Sequence, residues 1–154
     1  MSGPVSPYLA WNVKTAFRSY VEDVGGTIEV TDGAAKQQQA FLFPFVAEGD
    51  GVLKFGGAVR FSAHAGAMNL LISDPWVHVD NDGSRLSVAG TEATRTAGLR
   101  LFLAQLSTPA HGAEGADVSS VLLEAALLSE GAVAFDFRYA AGTQLDPVRH
   151  SVST

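Results

Sequence analysis

Residues 54–73, KFGGAVRFSAHAGAMNLLIS, have the pattern of two β-strands joined by a tight turn. We expect residues 54–64 to form one long strand, in which the Gly56-Gly57 pair permits a bulge or a bend. The small residues 65–67 allow a short connection, and residues 68–73 return as the next strand. The stretch therefore predicts an antiparallel pair of strands.

Further strand patterns, separated by turn residues, lie on both sides of this stretch. The turn signals include Asp32-Gly33, Asp74-Pro75 and Asn81-Asp82-Gly83. The segments expected to form additional strands are 27–30, 41–45, 76–79, 85–89 and 99–106. Pro44 cannot donate a backbone hydrogen bond, which predicts an edge or a bulge at that position. Strands at this spacing predict a mainly β fold built from antiparallel, sandwich-like sheets.

An N-terminal helix is predicted by residues 9–21, where the larger apolar side chains recur at the spacing of one helix face. Ser6-Pro7 is a suitable start, with serine as the N-cap and proline at the first helical position. Gly25-Gly26 ends any continuation. The expected helix runs from Ser6 to about Val21 and carries Tyr20 on its apolar face, either as a core residue or as a ligand directed into a pocket.

The C-terminal part permits two interpretations. Residues 117–130 have apolar positions at helical spacing, and Gly131 could cap a helix. Alternatively, Leu127-Leu128 and residues 133–135 could flank a turn as a hairpin. We prefer the helix, so the predicted fold class is mainly β (α+β), with the N-terminal helix and one further short helix. Asp146-Pro147 begins a short closing segment.

Composition limits the classes of protein. The chain has 154 residues, of which 47% are hydrophobic and 17% charged, so we expect one packed domain over residues 1–154. The net charge of -6 disfavours nucleic-acid binding. The chain has no cysteine, which excludes disulfides and thiolate chemistry. No apolar run reaches the ~20 residues that span a membrane, and the N-terminus does not resemble a signal peptide, so we expect a cytoplasmic protein.

The histidines are the candidates for polar chemistry. Three of the four are expected at the surface: His78, His111 and His150. His64 differs because it ends a predicted strand and shares one strand face with Arg60 and Ser62. From spacing alone, that face is either the solvated side of a sheet or part of a site. Motifs of serine hydrolases, zinc peptidases and phosphate-binding loops do not occur in the sequence.

Three blocks form a more specific pattern along nearly the whole chain. They are WNVK (11–14) followed by Phe17-Arg18 and Tyr20, VRFSAHAG (59–66) followed by Leu70 and Asp74-Pro75, and AGTQLDP (141–147). In this order they resemble the HtaA domain, the haem-binding module of actinobacterial haem-uptake proteins. The resemblance implies a β-rich fold with few helices and a haem pocket.

It further implies a haem-binding protein for uptake, transfer or storage, and not an enzyme. Tyr20 would be the axial ligand of ferric haem b, and His64 would donate a hydrogen bond to its phenolate oxygen. Ferric iron accepts tyrosinate, although a free phenol has a pKa near ~10 and must be helped to ionise. Phe17 would line the pocket, and Arg60 or Arg138 would bind a propionate.

Two positions depart from the family pattern. The family usually has serine four residues before the tyrosine, where this chain has Ala16, and an aromatic residue where this chain has Arg138. These departures favour a second hypothesis, an HtaA-fold interaction or structural domain that has lost haem. A haem-modifying enzyme is a third hypothesis, without a visible acid–base constellation. Other haem-transfer proteins and a second copy of the chain are further candidate partners. Most relatives are exported or surface-anchored.

Overall fold

The computed structural model describes residues 8–37, 40–80, 83–89, 100–107, 120–135 and 138–151. These ranges contain one α-helix, α1 (Thr15–Asp23). The strands are β1 (Tyr8–Trp11), β2 (Thr27–Thr31), β3 (Ala35–Lys36), β4 (Phe41–Gly49), β5 (Val52–Phe55), β6 (Ala58–Ala63), β7 (Met68–Ser73), β8 (Trp76–Asp80), β9 (Gly83–Val88), β10 (Leu101–Ser107), β11 (Ser120–Leu127) and β12 (Gln144–Ser151). No helix in the described part of the chain has the length and hydropathy needed to cross a membrane.

Eight of the strands close into a barrel-like sheet in the order β1-β12-β11-β10-β9-β8-β5-β4. The closure comes from β4, which pairs with β5 and also with β1, and the neighbouring strands are antiparallel. The short β3 lies beside β4. A second sheet has the order β2-β6-β7. The prediction of a mainly β, antiparallel fold is therefore confirmed, whereas the sandwich-like arrangement is wrong because the main sheet closes on itself.

The predicted start of the N-terminal helix is also wrong. Residues 8–11 form β1, in which Leu9 and Trp11 are buried and alternate with half-buried neighbours. Two apolar residues at this spacing fit a strand as well as a helix. The helix begins only at Thr15, whose backbone N–H and hydroxyl both donate to the carboxylate of Asp146. Because that capping group is distant in sequence, local pattern placed the helix start too early.

The predicted long strand over residues 54–64 is divided between the two sheets. Gly56-Gly57 separates β5, in the closed sheet, from β6, in the three-stranded sheet. Gly57 has φ +111°, and a Cβ placed on it would lie 2.8 Å from the Cβ of Ala34. Only glycine combines this backbone conformation with so close an approach. The expected bend is confirmed, and it redirects the chain from one sheet to the other.

Both interpretations of the C-terminal part are wrong. Residues 120–127 form β11, in which Leu123, Ala125 and Leu127 are buried, and residues 130–135 form a 3₁₀ turn. The apolar residues of this segment fit the spacing of a helix face as well as the alternation of a strand, and the strand is the one that forms. The closing segment is the strand β12. Residues 117–119 and the turn residues 81–82 lie outside the described ranges.

Aromatic side chains fill the protein interior. The largest of the fully buried rings are Trp11, Phe17, Phe41, Phe43, Phe55, Phe61 and Phe135. Phe61 on β6 contacts Phe41 on β4 with a ring centroid separation of 5.9 Å, so it joins the three-stranded sheet to the closed sheet. Each such ring removes a large apolar area from water, which is the main source of stability.

His150 was expected at the surface, but it is only 8% exposed. It lies two residues after the buried Val148 on β12, so strand alternation directs it to the same side. Its ring lies 6.4 Å from that of Phe55, and its Nδ1 is buried without a hydrogen-bond partner in the described structure. This burial lowers the pKa of His150 from its usual value of 6.5.

Replacing His150 with leucine is expected to stabilise the fold, and the gain should increase in acid. At neutral pH the change removes a buried polar group without a partner, which costs about 1–3 kcal/mol. The folded protein holds His150 neutral while the unfolded chain binds a proton below about pH 6.5. The wild-type protein therefore loses stability as the pH falls through that value. Urea unfolding at pH 7.5 and pH 5.0 measures the difference, and a gap that does not widen at pH 5.0 contradicts the assignment.

Candidate functional site

Tyr20 and His64 meet at the protein surface. The Tyr20 Oη lies 2.7 Å from the His64 Nε2, and the ring centroids are 6.1 Å apart. The Tyr20 ring is half-buried against the core, whereas His64 is exposed. The helix and the strand end that the sequence placed in separate parts of the chain therefore converge, and they present a phenol and an imidazole in direct hydrogen-bond contact.

The helix α1 positions Tyr20 through its neighbours on the apolar face. Phe17 is 1% exposed and lies with edge contacts at 5.0 Å from Phe61 and 5.7 Å from Phe135, measured between ring centroids. Val21 is also fully buried. Phe17, which we predicted to line a ligand pocket, is thus a core residue beneath the site, and it holds the helix against β6.

Arg18 fixes a second side of α1. It is 7% exposed, donates from Nη1 to the Asn12 Oδ1 at 2.6 Å, and donates from Nη2 to the Gln37 carbonyl at 2.8 Å. Its guanidinium carbon lies 4.7 Å from the centroid of the Phe41 ring. A buried arginine with such partners restrains the helix laterally, so the direction of the Tyr20 side chain is set on two sides.

The end of α1 is a glycine cap that leads directly into β2. Gly25 has φ +75°, its N–H donates to the Glu22 carbonyl at 3.1 Å, and the N–H of Gly26 donates to the Val21 carbonyl at 2.8 Å. This pair of bonds is the Schellman arrangement, which satisfies carbonyl groups at a helix end. The predicted helix stop at Gly25-Gly26 is confirmed.

His64 occupies a strained turn. Its φ is +55°, followed by +57° at Ala65 and +92° at Gly66, and the Ala67 N–H donates to the His64 carbonyl at 3.0 Å. Left-handed conformations are costly for residues other than glycine and are found preferentially at functional sites. The turn takes His64 out of strand geometry, so the alternation that grouped it with Arg60 no longer sets its direction.

Arg138 and Tyr139 lie beside α1. The guanidinium carbon of Arg138 is 5.1 Å from the centroid of the Tyr20 ring. Tyr139 packs against Phe17 at 6.3 Å between ring centroids, and the Lys14 Nζ lies 5.4 Å from the Tyr139 centroid. Burial raises the pKa of Tyr139, an effect that Arg138 opposes, so Tyr139 remains a neutral phenol.

Lys14 was not among the predicted site residues. It precedes α1 and donates from Nζ to the Gln144 carbonyl at 3.0 Å. The signal that could have identified it is its place in the WNVK block, three residues before Phe17. Periodicity carried no such information, because Lys14 lies off the apolar stripe.

Arg60 lies on the outward face of the three-stranded sheet. It donates from Nη1 to the Asn69 Oδ1 at 2.8 Å and is the cross-strand neighbour of Glu29. It is half-buried, on the strand that ends at the His64 turn. These contacts give Arg60 a polar role within the sheet, whereas Arg138 is the predicted arginine that lies over the Tyr20 ring.

A small cleft adjoins the pair on the His64 side. Its volume is about 200 Å³, and it is lined by Gly25, Gly26, Thr27, Ser62, Ala63, His64, Ala65 and Gly66. Enclosed cofactor pockets usually measure about 300–1,000 Å³, so a large planar ligand would lie mainly on the open surface. A groove of about 320 Å³ near Trp11 and Arg149 is lined by other residues.

The Tyr20–His64 pair offers a single oxygen ligand, which suits a metal ion that already has other ligands. In the described ranges, no three His, Asp or Glu side chains are grouped to hold a metal ion. Tyr20 offers one oxygen, supported by His64 at 2.7 Å. One tyrosinate oxygen is an established axial ligand of haem iron, whose remaining ligands come mostly from the porphyrin. The residues present therefore fit haem better than a bare cation.

Comparison with known proteins agrees with this fold. The structure is similar to the C-terminal domain of HtaA from Corynebacterium glutamicum, with a TM-score of 0.72 and 20% identity over 97% of this chain and 98% of that one. The N-terminal domain of the same HtaA is similar with a TM-score of 0.72 and 22% identity, over 99% of this chain and 100% of that one. The heme binding protein HtaB from that organism is similar with a TM-score of 0.70 and 21% identity, over 96% of this chain and 93% of that one.

No curated protein matches the chain by sequence. At these identities the structural similarity shows the fold alone, and the family is shown by a sequence model. The HtaA family model matches residues 6–151, which include the helix with Tyr20 and the turn with His64. The chain therefore belongs to the HtaA domain family.

Proposed function

We propose that this protein is a non-catalytic domain that binds ferric haem b, with the Tyr20 phenolate as the axial ligand and His64 as its hydrogen-bond donor. The observation that carries the proposal is the 2.7 Å contact between the Tyr20 Oη and the His64 Nε2 at the surface. Family membership supports it, as does the fold shared with a heme binding protein.

The geometry of the pair suits ligation of iron by the Tyr20 oxygen. A tyrosine oxygen that binds iron still accepts hydrogen bonds, and the His64 Nε2 lies 2.7 Å from it. The His64 turn holds the imidazole in place before any ligand arrives, so little ordering is needed on binding. Haem, when bound, would supply the ferric iron that the phenolate ligates. Arg138, already beside the Tyr20 ring, adds positive charge to the same surface.

The exposed position of the pair suits exchange of haem. His64 is exposed, and the hydrogen bond to Tyr20 lies at the surface. A ligand held on an open surface can pass to a second protein without prior unfolding of the donor. We therefore assign the domain to haem uptake, transfer or storage, with other haem-transfer proteins as exchange partners.

Replacing Tyr20 with phenylalanine tests the ligand assignment. The change keeps the ring and its packing but removes the oxygen, so hemin should bind at least about tenfold more weakly and without the tyrosinate signature. Absorption titration and resonance Raman spectroscopy measure both effects. Tyr8→Phe, a half-buried tyrosine on β1, is the matched control and should behave as wild type. A Tyr20→Phe protein with unchanged affinity and spectrum would show the assignment to be wrong.

A cofactor-free interaction domain is the second candidate. It is favoured by Arg138, which covers one side of the Tyr20 ring, and by Ala16, which carries no hydroxyl. This alternative predicts no saturable binding in the hemin titration of the wild-type protein, a result that the first candidate excludes.

A further inference from the structure

Two positively charged side chains lie beside α1, at different positions along its length. Arg138 lies over the Tyr20 ring at 5.1 Å, and Lys14 lies over the Tyr139 ring at 5.4 Å. Residues 138 and 139 are consecutive, so this segment runs beside the helix and links the two contacts. From residue 14 to residue 20, a helix rises ~9 Å. The cations therefore mark two points along one side of α1, one close to Tyr20 and one before the helix start.

An exposed alanine lies on α1 between these points. Ala16 lies one helical turn before Tyr20 and presents only a methyl group. Tyr139 is half-buried and packs on the buried Phe17, with 6.3 Å between their ring centroids. Position 16 therefore offers no hydroxyl to a ligand, whereas Lys14 and Arg138 offer positively charged donors on either side of it.

The charges along α1 differ between its two ends. Glu22 and Asp23 lie at the C-terminal end, where Glu22 is 3.9 Å from Arg18. Near the N-terminal end, the Asp146 carboxylate accepts hydrogen bonds from Thr15. In the described structure, neither Lys14 nor Arg138 forms an ion pair with a carboxylate. A ligand with one anionic edge would be repelled by Glu22 and Asp23, and attracted toward Lys14 and Arg138.

We propose that Lys14 and Arg138 bind the propionate carboxylates of the tetrapyrrole and make this domain selective for ligands that carry free carboxylates. The inference rests on the proposed function and deepens it. An arginine guanidinium can donate two N–H hydrogen bonds to one carboxylate, and a lysine ammonium attracts a carboxylate as a point charge. Both side chains rest on aromatic rings, Arg138 on Tyr20 itself and Lys14 on Tyr139, which holds them near Tyr20.

The test compares hemin with its dimethyl ester, which has the same iron and ring but no carboxylate charge. Both are titrated in the same detergent solution against wild type, Lys14→Gln, Arg138→Gln and the double variant. We expect each single change to weaken hemin binding about tenfold, and ester binding to remain unchanged. The wild-type preference for hemin should disappear in the double variant, while the tyrosinate spectrum of bound hemin persists.

Matched controls exist on the outer face of the closed sheet. Lys54 lies 4.5 Å from the Trp76 ring centroid, and Arg85 lies 4.2 Å from that of Phe102. Lys54→Gln and Arg85→Gln remove the same charges from similar aromatic contacts and should leave hemin affinity unchanged. Equal losses in the controls, or a double variant that still prefers hemin, would overturn the inference.

The outcomes separate this inference from the function on which it rests. If hemin gives a Tyr20-dependent spectrum while the Lys14 and Arg138 variants bind both ligands as wild type does, only the carboxylate assignment fails. If Tyr20→Phe leaves the hemin spectrum unchanged, the proposed function fails, and the carboxylate assignment fails with it.

Discussion

Replacing Phe61 with alanine is expected to lower the free energy of unfolding by about 3–5 kcal/mol. Phe61 is fully buried on β6, and its ring contacts Phe17 on α1 at 5.0 Å and Phe41 on β4 at 5.9 Å. It therefore joins the helix, the three-stranded sheet and the closed sheet. Truncation would leave a cavity that these rigid neighbours cannot fill, and would weaken the support beneath Tyr20.

Urea denaturation followed by circular dichroism measures this effect. Phe45→Ala is the matched control, because Phe45 is half-buried and its ring contact is with Phe55 at 5.8 Å. It should cost clearly less than Phe61→Ala. If Phe61→Ala does not fold, Phe61→Leu, which leaves a smaller cavity, keeps the comparison measurable. If Phe61→Ala and Phe45→Ala lower the free energy of unfolding equally, Phe61 is not the main contact between the helix, the three-stranded sheet and the closed sheet.

Replacing Gly26 with alanine is expected to cost about 1–3 kcal/mol and to disturb the site as well. A Cβ on Gly26 would collide with the carbonyl oxygen of Ser62 and lie 2.9 Å from the Val21 Cγ1 and 3.0 Å from the Ala63 Cβ. These atoms belong to α1 and to β6, which carry Tyr20 and lead to His64. The collision can be relieved only by moving the helix away from the strand, which lengthens the Tyr20–His64 contact.

Gly25→Ala is the control for this change. Gly25 has φ +75°, and a Cβ there would meet no atom within 4 Å. Its cost is therefore conformational, about 1 kcal/mol, and it does not push α1 from β6. Urea unfolding gives both costs, and hemin titration reports the site. We expect weaker hemin binding in Gly26→Ala than in Gly25→Ala, and the reverse order would contradict the steric argument.

The sequence pattern correctly predicted the turns and breaks that depend on the residues at the turn itself. The turn after His64, the break at Asp74-Pro75 and the helix stop at Gly25-Gly26 depend on small, proline or glycine residues at the turn itself. The closed sheet depends instead on β1, which pairs with β4 and with β12 at the other end of the chain. Its four residues fit a helix or a strand equally well, so closure could not be predicted.

The candidate site was predictable only in part. Residue spacing alone does not decide whether Tyr20 is a core residue or a ligand. It also does not decide whether His64 belongs to the solvated face of a sheet or to a site. The family resemblance brought them together, and the 2.7 Å contact agrees with that expectation. The position of Lys14 over the Tyr139 ring cannot be predicted from local pattern, because Tyr139 lies more than a hundred residues later in the chain. The burial of His150 follows from strand alternation on β12, which its position near the C-terminus does not reveal.

The direct pairing of β5 with β8 has a consequence for how the protein opens. These strands are neighbours in the closed sheet, although β6 and β7 lie between them in sequence. The chain segment that carries His64 is therefore an excursion from a hydrogen-bond ladder that is continuous without it. Such a layer can separate as its own cooperative unit, at less cost than global unfolding. Opening of the three-stranded sheet therefore leaves the pairing of β5 with β8, and with it the eight-stranded ladder, in place.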